Sequence, residues 1–482
     1  LQFGYNNVIF DMITILEELR MLFGKKNKSE GLNIIIVGCG LVGSTLVEQL
    51  SGEGHDITVI DKNPAVIQQL TNQYDIMGVC GNGASFSVQI EAGIKEANLI
   101  IAVTQSDELN LLCCTAARRV SGCAAIARVR NPDYSLELGY LQEKLGLAMI
   151  INPEQESARE ISRILSLRTA LEVNTFAHGQ AELVKIQIPQ SNMLDGMTVA
   201  ELGRRSKMDV LICAVERKKQ IFIPTGDFEI SAGDIISFVA PRKQVGMFLK
   251  KIGFRTNKVK DTIIIGGGEI AYYLAKLLIH AGIDVKVVEK DKQRCEELSV
   301  SVPKATIICG DGTNEDLLRE EGIKDVESVV PLTDSDEENI LLALHARQMS
   351  NTKTVTKINR VSFGDVIDRL DLGSVIYPSY ITSEAIIAYV RAKNASYDSN
   401  IETMSHMFDQ RIEAIEFRVA EQSRVTDTPL MDLDLKNDLL ICFINRHGKI
   451  IIPSGHDCIK AGDTVMIVTK HKGFTDIGNI LK

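Results

Sequence analysis

Apolar residues in this chain come in short runs at a steady interval. Runs rich in β-branched side chains fall at 33–37, 57–61, 76–80, 99–103, 124–129 and 148–151. Strands covered on both faces read this way. Stretches of helical periodicity, roughly 8–15 residues long, separate them. Connections of that length require parallel strands and right-handed crossovers. The pattern predicts a doubly wound α/β domain over 32–173, closed by a crossover helix from about Pro153 to Leu167.

The period then changes. Val184, Ile186 and Ile188 alternate with polar residues, and 211–215, 221–223 and 235–239 read as further strands around turns such as Ala232-Gly233-Asp234. This predicts a small β-rich α+β domain over 174–255. After it the first pattern begins again. Gly38 and Gly266 are 228 residues apart, as are Asp61 and Glu289. Gly81-Asn82-Gly83-Ala84 and Gly310-Asp311-Gly312-Thr313 are 229 apart, as are Asp107-Glu108-Leu109-Asn110 and Asp336-Glu337-Glu338-Asn339. Ala232-Gly233-Asp234 returns at the same spacing as Ala461-Gly462-Asp463. One module is written twice. A second nucleotide-binding domain is expected over 256–398 and a second β-rich domain over 399–482. The expected fold class is α/β: two doubly wound, parallel-sheet Rossmann-like domains, each followed by a small β-rich α+β domain.

Residues 1–31 fit neither pattern. Val8 to Phe23 makes an amphipathic helical run broken by Gly24-Lys25-Lys26. The segment reads as an extension outside the repeat, with a surface-lying helix as the other reading. No apolar run reaches the roughly 20 residues that span a bilayer.

The candidate chemistry lies in the first turn of each copy. After the first strand come Gly38, Cys39, Gly40, Leu41, Val42 and Gly43, then a helix and a strand ending in Asp61. Strand, Gly-x-Gly-x-x-Gly, helix and acid form a dinucleotide-binding pattern. Gly38 allows the tight turn, Gly40 lets the backbone approach a pyrophosphate, and Gly43 permits close helix packing. The helix N-terminus offers unpaired N–H groups to the phosphates. Asp61 accepts from ribose hydroxyls and repels a 2′-phosphate, which favours NAD over NADP. Thr104 and Gln105 follow the fourth strand at the switch-point crevice. Arg128 ends the fifth strand and is expected either to reach a phosphate or to make an ion pair. In the second copy the turn is Gly266, Gly267, Gly268, Glu269 and Ile270, with Ala271 in place of the third glycine. Glu289, Thr333 and Lys357 stand at the Asp61, Thr104 and Arg128 positions. Glu269 puts a negative charge beside a phosphate turn, and Lys357 loses the guanidinium fork. The first site is expected to be the stronger. Asp107 and Asp336 read as helix-start residues, with a cation or subunit contact as the alternative.

Composition narrows the function. The formal net charge is −10 and no basic block occurs, so nucleic acid is not an expected partner. The ten cysteines include no Cys-x-x-Cys, and the eight histidines show no metal-ligand spacing, so neither disulfides nor a metal is expected. His178 stands without a catalytic pattern around it, and the repeat supplies no group for proton transfer. A duplicated nucleotide cradle without a catalytic group suggests a sensor.

The repeated order of these motifs resembles the regulator-of-potassium-conductance modules, also called RCK or KTN modules, over 32–482. The resemblance implies NAD(H) or ATP/ADP as ligands in the N domains, held through the glycine turns and acids named above. It implies a cytosolic, non-enzymatic regulatory subunit assembled as a ring of four chains. That ring would sit at the cytoplasmic side of the cell membrane, peripheral to it, and gate an integral-membrane potassium channel subunit of the Trk/Ktr type. The alternatives are an NAD-dependent oxidoreductase and a nucleotide-sensing regulator of a different cation transporter or antiporter.

Overall fold

The computed structural model describes residues 31–482 other than 136–137, 361–363, 368, 395–398, 409 and 421–422. The helical run read at Val8–Phe23 lies outside the described residues.

The first sheet holds β1 (Asn33–Val37), β2 (Asp56–Asp61), β3 (Met77–Cys80), β4 (Leu99–Ala102), β5 (Ala124–Arg128) and β6 (Met149–Ile151), all parallel, in the order β3-β2-β1-β4-β5-β6. Ile34 and Ile36 face one buried layer with Leu46 and Leu50, while Ile35 and Val37 face the other with Ile100 and Cys113. Alternation of side chains along a strand, with helices on both sheet faces, is why this run is apolar throughout. The order reverses between β1 and β4, so the crevice opens at their carboxyl ends.

The second sheet holds β7 (Glu172–Phe176), β8 (Ala181–Gln187), β9 (Leu211–Arg217), β10 (Gln220–Phe222) and β11 (Ile235–Pro241) in the antiparallel order β10-β9-β11-β8-β7. Helices Val199–Ser206 and Arg242–Lys251 accompany it. Both helices and β7 are additions to the strands expected from the sequence.

The third sheet repeats the first: β12 (Asp261–Ile265), β13 (Asp284–Glu289), β14 (Thr306–Cys309), β15 (Ser328–Pro331), β16 (Lys353–Lys357) and β17 (Ser374–Ile376), in the order β14-β13-β12-β15-β16-β17. The fourth holds β18 (Ser399–Met407), β19 (Ile412–Val419), β20 (Leu439–Arg446), β21 (Lys449–Ile451) and β22 (Thr464–Thr469), in the order β18-β19-β22-β20-β21.

The two copies exchange their crossover helices. Helix Pro153–Ser166 leaves the first Rossmann-like domain and packs on helix Glu269–His280 of the second. Its Ile161, Ile164 and Leu165 are buried with Ile264, Leu274 and Leu278. Each such side chain contributes about 1.5–3 kcal/mol when fully buried. Helix Pro378–Asn394 makes the return crossing. Its Ile386, Ile387 and Val390 share a cluster with Leu46 and Leu50 of the first domain and Phe417 of the second β-rich domain. Charged groups fasten both crossings. Arg391 meets Glu53, and Lys353 Nζ donates to the carbonyls of Leu167 and Arg168 at 3.0 Å. The β-rich domains also pack together. Phe176, Leu183 and Cys213 bury against Met407, Cys442 and Phe443. Cys213 and Cys442 are 229 residues apart, so this contact pairs equivalent positions of the repeat.

Candidate functional site

The glycine turn follows directly from the sheet. Gly38 has φ +94°, and a Cβ there would lie 2.9 Å from the Thr104 backbone. Gly266, φ +103°, is in the same position against Leu332 and Thr333. Only glycine fits this corner without strain. A Cβ on Gly43 would meet the Gly38 carbonyl oxygen at 2.0 Å, and the second half holds the buried Ala271 at this place. A Cβ on Gly40 would meet nothing within 4 Å, so the backbone faces open space where a pyrophosphate would approach.

The acid at the end of the second strand is already oriented. Asp61 Oδ2 accepts from Cys39 N at 2.7 Å and Oδ1 from Asn63 N at 2.8 Å. Glu289 repeats this with Gly267 N at 2.6 Å and Asp291 N at 2.7 Å. Each oxygen retains a lone pair for a ribose hydroxyl. Burial, followed by the Asp61 charge, pushes the Cys39 thiol up to about 12. That thiol is a packing group beneath the turn.

A single cleft of about 890 Å³ joins the two halves. Gly38, Gly40, Leu41, Val42, Asp61, Thr104, Gln105 and Arg128 line it from the first copy. Gly268, Glu269, Ile270 and Lys357 line it from the second. Cys39, Gly43, Gly266, Gly267, Glu289 and Thr333 do not line it. Arg294 accounts for part of this difference. Its Nε donates to the Gly267 carbonyl at 2.7 Å, and an Nη lies 3.2 Å from the Glu269 carboxylate. The Glu269 charge is therefore paired with Arg294, a partner the sequence did not suggest. Burial raises the Glu269 carboxyl above its ordinary range, and Arg294 acts in the opposite direction.

Arg128 Nη2 bonds Glu154 Oε1 at 2.7 Å at the start of the exchanged helix. Arg128 Nε and Glu154 Oε2 are buried without a hydrogen-bond partner among the described residues. Lys357 lies 3.8 Å from Asp334, and burial lowers its amine below the usual lysine range. Thr104 and Thr333 each place a hydroxyl on Asn110 or Asn339, at 2.7 and 3.0 Å. Those asparagines donate in turn to the carbonyls of Arg128 and Lys357, both at 3.0 Å. They tie the fourth strand's end to the fifth. The repeated Asp-Glu-x-Asn carries both asparagines beside the acids.

Ser106 and Ser335 are the helix caps, accepting from Leu109 N and Glu338 N at 3.2 Å. Asp107 instead accepts from the backbone of Arg130 and Asn131, each at 2.8 Å. Asp336 does the same for Asn359 and Arg360. These acids brace the loop after the fifth strand. Across the junction, Tyr273 OH and Asn152 Nδ2 donate to the Arg130 carbonyl at 3.0 and 3.2 Å. The cleft wall is thus a shared product of both copies.

Two equivalent glycine turns on repeated parallel sheets, each sheet with a β-rich companion, define a tandem RCK-type protein. Residues 34–153 and 262–378 match the TrkA-N domain, and 183–253 and 414–482 match the TrkA-C domain. The chain belongs to the TrkA family of Trk system potassium uptake proteins. It is 30% identical to the Trk system potassium uptake protein TrkA of Halomonas elongata, over 90% of this chain and 95% of that one. The TrkA homolog of Archaeoglobus fulgidus is 29% identical over 94% of this chain and all of its own length. Among solved structures, the GsuK channel shares the fold at TM-score 0.62 and 17% identity, covering 91% of this chain and 77% of that one. The GsuK channel bound to NAD aligns at TM-score 0.61 and 17% identity, covering 96% and 82%. Among the described residues no helix is long and apolar enough to cross a membrane.

Proposed function

We propose that the chain is a nucleotide-sensing regulatory subunit that gates an integral-membrane potassium channel subunit. NAD(H) is its first ligand, and ATP or ADP compete for the same cradles. The observation that carries this reading is the first glycine turn and Asp61 opening onto a cleft walled by the other copy. A dinucleotide fits the residues present. Gly40 leaves room for the pyrophosphate, Asp61 keeps acceptors for the ribose, and Arg128 lines the same space. The volume lies within the usual range for ligand sites. A ligand held by the first copy would also touch Glu269, Ile270 and Lys357 of the second, so binding would favour one arrangement of the two copies over another. Coupling of this kind is typically ~1–3 kcal/mol.

The subunit works without turnover, as a ring of four chains at the cytoplasmic face of the membrane. Family membership supports the transport role, since the relatives are named for potassium uptake. Equilibrium binding of NADH to the full chain tests the sensing step, and no affinity at millimolar concentration would sink it. NADH absorbance is expected to stay constant across a panel of carbonyl substrates. Steady oxidation would establish an enzyme instead. Deleting the protein is expected to lower potassium uptake in cells. Co-purification from membranes would identify the channel partner, and a different cation transporter or antiporter in its place would redirect the assignment.

Asp61→Ala is expected to weaken NADH binding by about 1–3 kcal/mol, because hydrogen bonds to a charged acceptor are lost. Isothermal titration checks this. Unchanged affinity would place the ribose contact elsewhere.

A further inference from the structure

Two of the cysteines meet in the second copy in a way the first does not share. Cys309 ends the edge strand β14 and is exposed. It stands in register with Glu289 at the end of β13. Cys295, on helix Lys292–Ser301, is 7% exposed and points its thiol at the Glu289 carbonyl oxygen, 3.3 Å away. The Cys309 thiol is near enough to Cys295 to help raise its thiol. The same carbonyl accepts from Gly310 N at 2.8 Å, one residue past Cys309. The pair therefore brackets the main chain of the acid that orients the second glycine turn. The first copy has Cys80 at the Cys309 position but Ile67 at that of Cys295, and the Cys80 thiol faces the Lys62 carbonyl instead. Cys213 and Cys442 also meet, but both are fully buried, out of reach of a dissolved oxidant.

We propose that Cys295 and Cys309 form a redox-modification site, in which a small peroxide closes a disulfide behind Glu289 and a thiol reductant reopens it. The exposed Cys309 thiolate attacks one peroxide oxygen. The O–O bond breaks, a sulfenic acid forms, and the leaving hydroxide becomes water. The Cys295 sulfur then displaces the sulfenic hydroxyl as a second water, and the S–S bond closes. Two thiols are oxidised by two electrons, and hydrogen peroxide is reduced to two waters. The order of attack follows from exposure. Burial, aided by the contact with Cys309, holds the Cys295 thiol up at about 11, so it acts second, against a sulfenic acid already beside it. Closure removes the S–H donor to the Glu289 carbonyl and draws the strand end towards the helix. The second cradle is then held by a covalent clip that the first lacks.

The test uses the full chain, reduced, exposed to hydrogen peroxide, alkylated and mapped by peptide mass spectrometry. A Cys295–Cys309 cross-link is expected, lighter by two hydrogen atoms, reversed by dithiothreitol and absent from Cys309→Ser. Cys309 is exposed, so that variant keeps its packing. Recovery of Cys309 as sulfinic acid while Cys295 stays a free thiol would overturn the proposal. The consequence for ligand rests on the nucleotide reading above. NADH titrations are expected to differ between oxidised and reduced wild type and to coincide for treated and untreated Cys309→Ser. Identical wild-type curves would overturn the link to the cradle. Reduced protein that binds no NADH would remove the sensing role while leaving the mapped disulfide intact.

Discussion

Replacing Arg391 by alanine is expected to destabilise the folded chain by about 3–5 kcal/mol, because it removes the guanidinium shared by the buried Glu413 and the half-buried Glu53. Arg391 is 2% exposed. Its Nε donates to Glu53 at 3.0 Å, and its two Nη groups donate to Glu413 at 2.9 Å each. Glu53 belongs to the first Rossmann-like domain and Glu413 to the second β-rich domain, so one guanidinium joins parts that are distant in the chain. The pair is not itself a large net gain, since the three groups were desolvated to form it. The loss comes from removing the guanidinium fork, which leaves Glu413 with His406 alone among the described residues. Arg391→Lys is expected to fall between wild type and alanine, because an ammonium cannot serve both carboxylates with a planar fork. Urea unfolding checks the order. An Arg391→Ala midpoint equal to wild type would show that the acids find another partner.

The second large effect concerns pH. Burial pushes the His406 imidazole down, but Glu384 at 3.3 Å and Glu413 at 3.5 Å outweigh it and raise the group to about 9. Burial likewise pushes Glu413 up, and His406 with Arg391 brings it down to about 2. A histidine raised above its unfolded value stabilises fully below about pH 6.5, and the contribution is lost as pH rises through about 9. The loss is on the order of 3 kcal/mol. Other groups titrate over the same range. Glu160, raised to about 8 by burial and then by Glu172, also loses stability as pH rises. Lys353, lowered to about 7 by burial, works in the opposite direction. The stability difference between wild type and His406→Gln isolates the imidazole. It is expected to shrink steadily between pH 6.5 and 9, and a flat difference would mean that the ring is neutral in the folded state.

Much of the nucleotide cradle was legible because its physics is local. Four consecutive β-branched residues, Ile34 to Val37, can hardly be anything but a covered strand. Gly38 reports a turn because its φ excludes other residues. The duplication then located Gly266 and Glu289 without further argument. What stayed hidden depends on partners far along the chain. The crossover helix was expected, but the spacing of its Ile161, Ile164 and Leu165 carries no information about which copy covers them. Arg391 sits in an ordinary helical run, and its acids are 338 and 22 residues away. Arg294 escaped for a different reason. Its counterpart in the first copy is Val66, so comparing the repeats gave it no emphasis. Asn110 and Asn339 were visible in the repeat, yet their bonds to the Arg128 and Lys357 carbonyls require the sheet to be assembled first.

The exchanged crossover helices have a consequence for how the chain is made. A ribosome releases roughly 5–20 residues each second, so Glu53 waits roughly 20–70 s for Arg391, 338 residues behind it. Within that interval helix Pro153–Ser166 emerges ahead of Ile264, Leu274 and Leu278, the residues that bury its Ile161 and Ile164. The nascent first module therefore carries uncovered apolar surface until the second module has been made. It is a natural client for chaperones, and truncation between the modules should yield an aggregating fragment instead of a smaller working protein.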